Sequence, residues 1–213
     1  MTTKTHVTFV LDSSGSMAAI EDDTRGGFNV FLEEQREEEG DATVTLYNFD
    51  TNVECVYRMA PIEAADTLDT DNYRPGGQTA LHDALATAID ETADGIEGLA
   101  EPDRPENVIV VVLTDGKENA SETPQQRVRE KVTYRQTEDD WEFLFIGANQ
   151  DAALTAESMG MAAEKSLDMH HSGDGVKAAQ ESTSKSISRA RREGSTGGYD
   201  ESDRAQQNDP ENR

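Results

Sequence analysis

Apolar residues gather in four short runs, at positions 6–11, 44–49, 108–113 and 143–146. Each is rich in Val, Ile, Leu or Phe and too short for a helix of ordinary length, which predicts strands buried in a sheet. Between the runs the apolar spacing changes to three and four. Ile20, Phe28, Phe31 and Leu32 predict a helix over 19–38 that Gly40-Asp41 stops. Leu81, Ala84, Leu85, Ala88 and Ile89 predict a second helix over 80–97. Pro124 opens a third that runs to about Glu138, a short helix follows near 151–159, and a last helix near 174–192 carries Val176, Ala179 and Ile187.

The strands read in the same way. Thr43–Phe49 and Val53–Met59 are separated only by Asp50-Thr51-Asn52, a link that suits an antiparallel hairpin and puts the second run at a sheet edge. A polar loop over 60–79 carries Pro61 and Pro75, and Pro102 and Pro105 break the chain before a strand at 107–114. Trp141–Gly147 is the next strand, and a weak last one is expected near 162–167. Strands alternating with helices imply an α/β fold: a doubly wound, mostly parallel sheet of about six strands in the order 3-2-1-4-5-6, with one antiparallel edge strand and helices on both faces. The domain is expected to occupy residues 1–193. From Gly194 onward Gly, Ser, Asp, Gln and Asn dominate, so 194–213 is expected to be a disordered polar tail.

Composition narrows the partners. The chain has 213 residues, 44 acidic against 19 basic, for a formal charge of −25. That surface repels nucleic-acid phosphate. The one basic cluster, Arg189, Arg191 and Arg192, reads as a helix C-terminus favoured by its dipole. So much like charge opposes compaction in dilute buffer and is screened in concentrated salt, where the Debye length falls to about 3 Å. A hypersaline cytoplasm is the expected setting. No apolar stretch reaches membrane-spanning length, and Met1-Thr-Thr-Lys-Thr opens without an apolar signal segment. A cytoplasmic protein, monomeric and away from membranes, is the expectation. Cys55 stands alone in the sequence and is expected to be a buried thiol.

Three polar clusters lie where strands end or helices begin: Asp12-Ser13-Ser14-Gly15-Ser16, Gly76-Gly77-Gln78-Thr79 and Thr114-Asp115-Gly116. In a doubly wound sheet the first and fourth strands are neighbours where the winding reverses, and ligands bind beyond their carboxyl ends. Asp12 and Asp115, far apart in sequence, should therefore share one crevice that the Thr79 loop can reach. Carboxylates and hydroxyls without thiolate or imidazole form an all-oxygen donor set suited to Mg2+ or Mn2+.

Asp-x-Ser-x-Ser, a Thr in a Gly-rich loop and a late Thr-Asp-Gly together resemble the von Willebrand factor A domain family over about residues 5–165. The segments 76–85, 113–121 and 145–151 are similar to a small stand-alone prokaryotic and phage-associated type. The resemblance implies a metal-ion-dependent adhesion site, with Ser14 and Ser16 as direct hydroxyl ligands. It implies that Asp12 and Asp115 hold the cation largely through water and that Thr79 joins in an open state. An open coordination position would then take an Asp or Glu carboxylate from a protein partner.

Asp12, Ser14 and Ser16 would cap the first helix in a purely structural reading, which explains neither Thr79 nor Asp115. Thr79 is also expected to cap the helix at Ala80. His82 reads as groove rim and His170-His171 as solvated loop. Asp50 is a rim candidate, Lys117, Glu118 and Asn119 could shape partner choice, and Trp141 reads as structural. The main expectation is a non-catalytic, metal-dependent binding module. The alternative is a metal-assisted phosphohydrolase or phosphotransferase with Asp12 as nucleophile, weakened by Ser14 where a second acid would help and by the lack of an evident general acid or base. No Gly-x-Gly-x-x-Gly follows the first strand, which removes a dinucleotide site.

Overall fold

The structure is a computed structural model and describes residues 4–148 and 151–208. Six strands form one sheet: β1 (Thr5–Asp12), β2 (Ala42–Phe49), β3 (Val53–Pro61), β4 (Asn107–Thr114), β5 (Glu142–Ala148) and β6 (Ser166–Met169). Their order is β3-β2-β1-β4-β5-β6, parallel throughout except for the β2–β3 hairpin. The sheet order and the antiparallel edge are those the sequence predicts.

Six helices cover it: α1 (Glu21–Glu37), α2 (Leu81–Glu97), α3 (Gln125–Glu138), α4 (Ala152–Ser158), α5 (Gly173–Glu193) and α6 (Glu201–Gln207). Strand alternation sends Val7, Phe9 and Leu11 to one face, where they pack with Phe28, Phe31 and Leu32 of α1 and with Val176, Ala179 and Ile187 of α5. Phe9 meets Phe28 edge-on with ring centroids 5.2 Å apart. Val10 faces the other way, into a core built from α2, α3 and α4. Trp141 is buried in that second core beneath the Arg135 guanidinium, a structural role as expected. Cys55 is only half-buried, because β3 is an edge strand with one side open.

The tail departs from expectation. Residues 194–208 are ordered, and only 209–213 of that segment lie outside the described residues. Tyr199 is buried in the first core, and its hydroxyl meets Thr183 Oγ1 at 2.8 Å. Thr196 N–H donates to Glu142 Oε1 at 2.8 Å, and Asp200 caps α6 through a reciprocal capping box with Asp203. One aromatic and a set of specific hydrogen bonds order this stretch, and neither produces an apolar period. The last strand is also displaced, to Ser166–Met169, since Ala163–Lys165 forms a 3-10 turn.

Beneath α2 runs a buried polar thread. His6, fully buried, meets Thr43 Oγ1 through Nδ1 at 2.8 Å and Thr8 Oγ1 through Nε2 at 3.1 Å. Thr8 Oγ1 in turn meets Thr92 of α2 at 2.8 Å. Burial pulls the His6 pKa from 6.5 down to about 4. Between those values the unfolded chain binds the proton and the folded one does not. Stability from the neutral ring is therefore complete above the unfolded pKa and declines as pH falls toward the folded one. The expected loss is at most about 3 kcal/mol across that window. Denaturant titrations of the wild type and His6→Gln at both ends of the window would measure it; equal pH slopes would refute it.

Candidate metal site

The clusters meet at the carboxyl ends of β1 and β4, which pair in register from Thr5↔Asn107 to Leu11↔Leu113. Asp12, Ser14, Thr79 and Asp115 are all buried. Asp12 Oδ1 accepts the Ser14 N–H at 2.7 Å, and Asp12 Oδ2 accepts the Thr114 hydroxyl at 2.5 Å. Ser16 donates its hydroxyl to Asp115 Oδ1 at 2.5 Å, so it must accept from Ser14 Oγ, 3.1 Å away. Three hydroxyls, of Ser14, Ser16 and Thr114, and two carboxylates thus form one continuous arrangement.

Thr79 arrives from the far side. A β-carbon on Gly116 would come within 2.7 Å of Thr79 Oγ1, so the absence of a side chain at Gly116 lets the threonine stand beside Asp115. The partners that hold Thr79 are those the sequence left open. Asn119 Oδ1 accepts the Thr79 N–H at 2.9 Å, while Asn119 N–H returns to the Thr79 carbonyl at 3.1 Å. Thr79 does not cap α2. Glu118 Oε2 and Ser121 Oγ accept from the N–H groups of His82 and Asp83 at 3.0 and 3.1 Å and do that work instead. Burial raises the Glu118 pKa, but N–H groups of Ser121, His82 and Ala120 and the Ser121 hydroxyl outweigh it and hold the group below its usual range. Asp50 positions the same loop, its carbonyl accepting the Ala80 N–H at 2.8 Å. His82 is mostly covered, with Nδ1 3.9 Å from Glu118 Oε2, at the rim where it was expected.

Electrostatics leave the site short of positive charge. Burial pushes the Asp12 carboxyl up to about 6; hydrogen bonds from Thr114 and Ser14 pull against that, and the nearby Asp115 adds to it. Tyr73, which the sequence did not single out, donates its hydroxyl to the Asp12 carbonyl at 2.6 Å and fixes the strand end. Asp115 Oδ2 is buried with no hydrogen-bond partner. A divalent cation would satisfy that oxygen, and the surrounding donors fit one. The donor set is mainly hydroxyl: among the described residues no group of three His, Cys, Asp or Glu side chains is poised to hold a metal.

The largest departure is His171. Instead of lying solvated in a loop, its ring turns inward, and Nε2 stands 2.8 Å from Asp115 Oδ2 without hydrogen-bond geometry. No local pattern in the sequence signals this, because the approach depends on where the loop after β6 is pinned.

A model of the von Willebrand factor type A domain matches residues 6–190. No curated protein gives a significant match. Among solved structures, proximal thread matrix protein 1 from the mussel byssus, with a zinc-occupied MIDAS motif, is 18% identical with a TM-score of 0.62, covering 84% of this chain and 47% of its own. The vWF domain of the type V pili tip protein Mfa5 from Porphyromonas gingivalis is 11% identical with a TM-score of 0.60, covering 88% of this chain and 96% of its own. The ArnB paralog VWA2 from Sulfolobus acidocaldarius is 16% identical with a TM-score of 0.51, covering 83% and 44%. The chain spans less than half the length of the mussel and Sulfolobus chains. Likeness at these identities speaks for the fold. Among the described residues no helix is long and apolar enough to cross a membrane.

Proposed function

Because the chain belongs to the von Willebrand factor type A domain family, we propose that it is a metal-dependent protein-binding module whose cation captures an Asp or Glu side chain of a partner. The buried Asp115 Oδ2 without a hydrogen-bond partner, beside the Ser14–Ser16 hydroxyl pair, is the observation that carries this reading. Ser14, Ser16 and Asp115 would hold a divalent cation, Mg2+ or Mn2+ in the family's ordinary chemistry. Asp12 would add its negative charge to the cation through water, and Thr79 would close the set from the opposite loop. Neutral hydroxyls leave such a cation with unspent positive charge, which is what attracts a partner's carboxylate. The mussel structure with a zinc-occupied MIDAS motif supports a cation at this position in the fold.

The reading is non-enzymatic. Asp12 Oδ1 accepts the Ser14 N–H and Oδ2 the Thr114 hydroxyl, bonds that support a holding role for this carboxylate rather than attack on phosphorus. We propose a high-salt setting for the protein, on the strength of its −25 charge.

Calorimetric titration with Mg2+ and Mn2+ in molar salt tests the site. Saturable binding at one ion per chain is expected for the wild type, with Asp115→Ala weakening it by at least about 100-fold, roughly 3 kcal/mol. Thr79→Ala is expected to weaken it less. Immobilised Glu-containing peptide should then retain the protein with Mn2+ and release it on chelation. Wild-type protein that binds neither cation would end the proposal.

A further inference from the structure

His171 lies at the mouth of the site just described, and the following argument rests on that reading. The residue enters from the loop after β6, and this loop is held from three sides. His170 N–H donates to Gln207 Oε1 of α6 at 3.0 Å, Gln207 Nε2 donates to the Gly175 carbonyl at 3.1 Å, and Ser172 Oγ caps α5 through the Gly175 N–H at 3.1 Å. A β-carbon at Gly175 would lie 2.2 Å from the His170 carbonyl, so the turn closes only with glycine there. The imidazole is thus placed by the fold.

What it faces is a carboxylate oxygen that nothing else satisfies. Asp115 is fully covered, and its Oδ2 and His171 Nε2 are both buried atoms without a hydrogen-bond partner. With Nε2 unprotonated, two lone pairs face each other at 2.8 Å and repel unless something positive lies beside both; with Nε2 protonated, its N–H is not aimed at Oδ2 and leaves the oxygen without a hydrogen bond. Neighbouring ligands of one cation, at bond lengths of ~2.1 Å, stand roughly 3 Å apart. The Ser14 and Ser16 oxygens are 3.1 Å apart, the same kind of separation.

We propose that His171 is a ligand of the same cation, presenting Nε2 beside Asp115 Oδ2 and converting an all-oxygen site into a mixed oxygen–nitrogen one that favours a borderline cation such as Zn2+ over Mg2+. Imidazole is a good donor to Zn2+ and other late first-row ions, whereas Mg2+ takes oxygen and parts with its water reluctantly. The tautomer with its proton on Nδ1 leaves Nε2 free to donate its electron pair. A partner's carboxylate would then meet a more strongly held cation.

The test compares Zn2+ and Mg2+ affinities of the wild type, His171→Ala and His170→Ala by calorimetry in molar salt. His171→Ala should weaken Zn2+ by at least about 10-fold and Mg2+ by less than about 3-fold. His170→Ala, whose ring meets Ser172 Oγ at 3.1 Å, should leave both in place. A second readout needs no variant that folds: the His171 Nε2 15N resonance should move on addition of Zn2+. An unmoved resonance, or equal losses for both cations in His171→Ala, would overturn the ligand role while leaving the cation site standing. No saturable binding of either cation by the wild type would remove both.

Discussion

Arg191→Leu is expected to lower stability by about 3–4 kcal/mol, although the arginine lies far from the candidate metal site. Arg191 is buried in the last turn of α5, yet its guanidinium serves the C-terminus of α1. Nη1 donates to the Gln35 carbonyl at 2.5 Å and to Gln35 Oε1 at 3.1 Å. Nη2 donates to the carbonyls of Glu38 at 3.1 Å and Gly40 at 2.7 Å. The Gln35 carbonyl is one that a helix leaves unpaired in its last turn, at the negative pole of its dipole, and those of Glu38 and Gly40 belong to the turn that follows. Leucine fills similar space but strands several buried acceptors, each costing about 1–3 kcal/mol when unsatisfied. Lysine places one ammonium where a fork is needed, so Arg191→Lys should recover less than half of the loss. Arg192, half-exposed and paired with Glu38 at 2.8 Å, is the control: Arg192→Ala should cost no more than about 1 kcal/mol. Chemical denaturation at constant salt reads all three. A loss below about 1 kcal/mol for Arg191→Leu would show that water replaces the guanidinium.

The same arginine marks where sequence reading stops. Arg189, Arg191 and Arg192 do lie in the last turns of α5, as the dipole argument holds. That argument speaks of a helix and its own charges, whereas Arg191 spends its donors on the last turn of α1 and the turn after it, 151 to 156 positions earlier in the chain. The strand order and the two aspartates were legible because local patterns carry them. Val and Ile runs mark the buried strands, and Asp12 ends the first of these runs while Asp115 stands one residue past the fourth strand. Thr79 was legible as part of the motif, but its support from Asn119 arises only when two loops meet. His171 was not legible at all. Its position follows from Gln207, in a polar segment without apolar periodicity that Tyr199 nevertheless anchors in the core.

Asp12→Asn is expected to stabilise the cation-free protein while abolishing its response to divalent cations. Burial lifts the Asp12 pKa from 3.8 to about 6, so the folded state holds this proton more tightly than the unfolded one. The sign is opposite to that of a salt-bridged carboxylate. As pH rises from the unfolded value to the folded one, stability falls, and the penalty is complete above the folded value. That shift corresponds to at most about 3 kcal/mol. Asparagine removes the charge and keeps the bonding: its oxygen accepts the Ser14 N–H, and its amide donates to Thr114 Oγ1, whose proton can turn to the Gly116 carbonyl at 3.2 Å. A gain of about 1–2 kcal/mol at pH 8, vanishing by pH 4, is therefore expected in chelator. With Mn2+ added, the wild type should gain stability by mass action and Asp12→Asn should not, reversing the order of their melting temperatures. The reversal is the decisive result, because a structural role for Asp12 predicts loss in both conditions, and a residue irrelevant to the cation predicts an equal Mn2+ response in the two proteins.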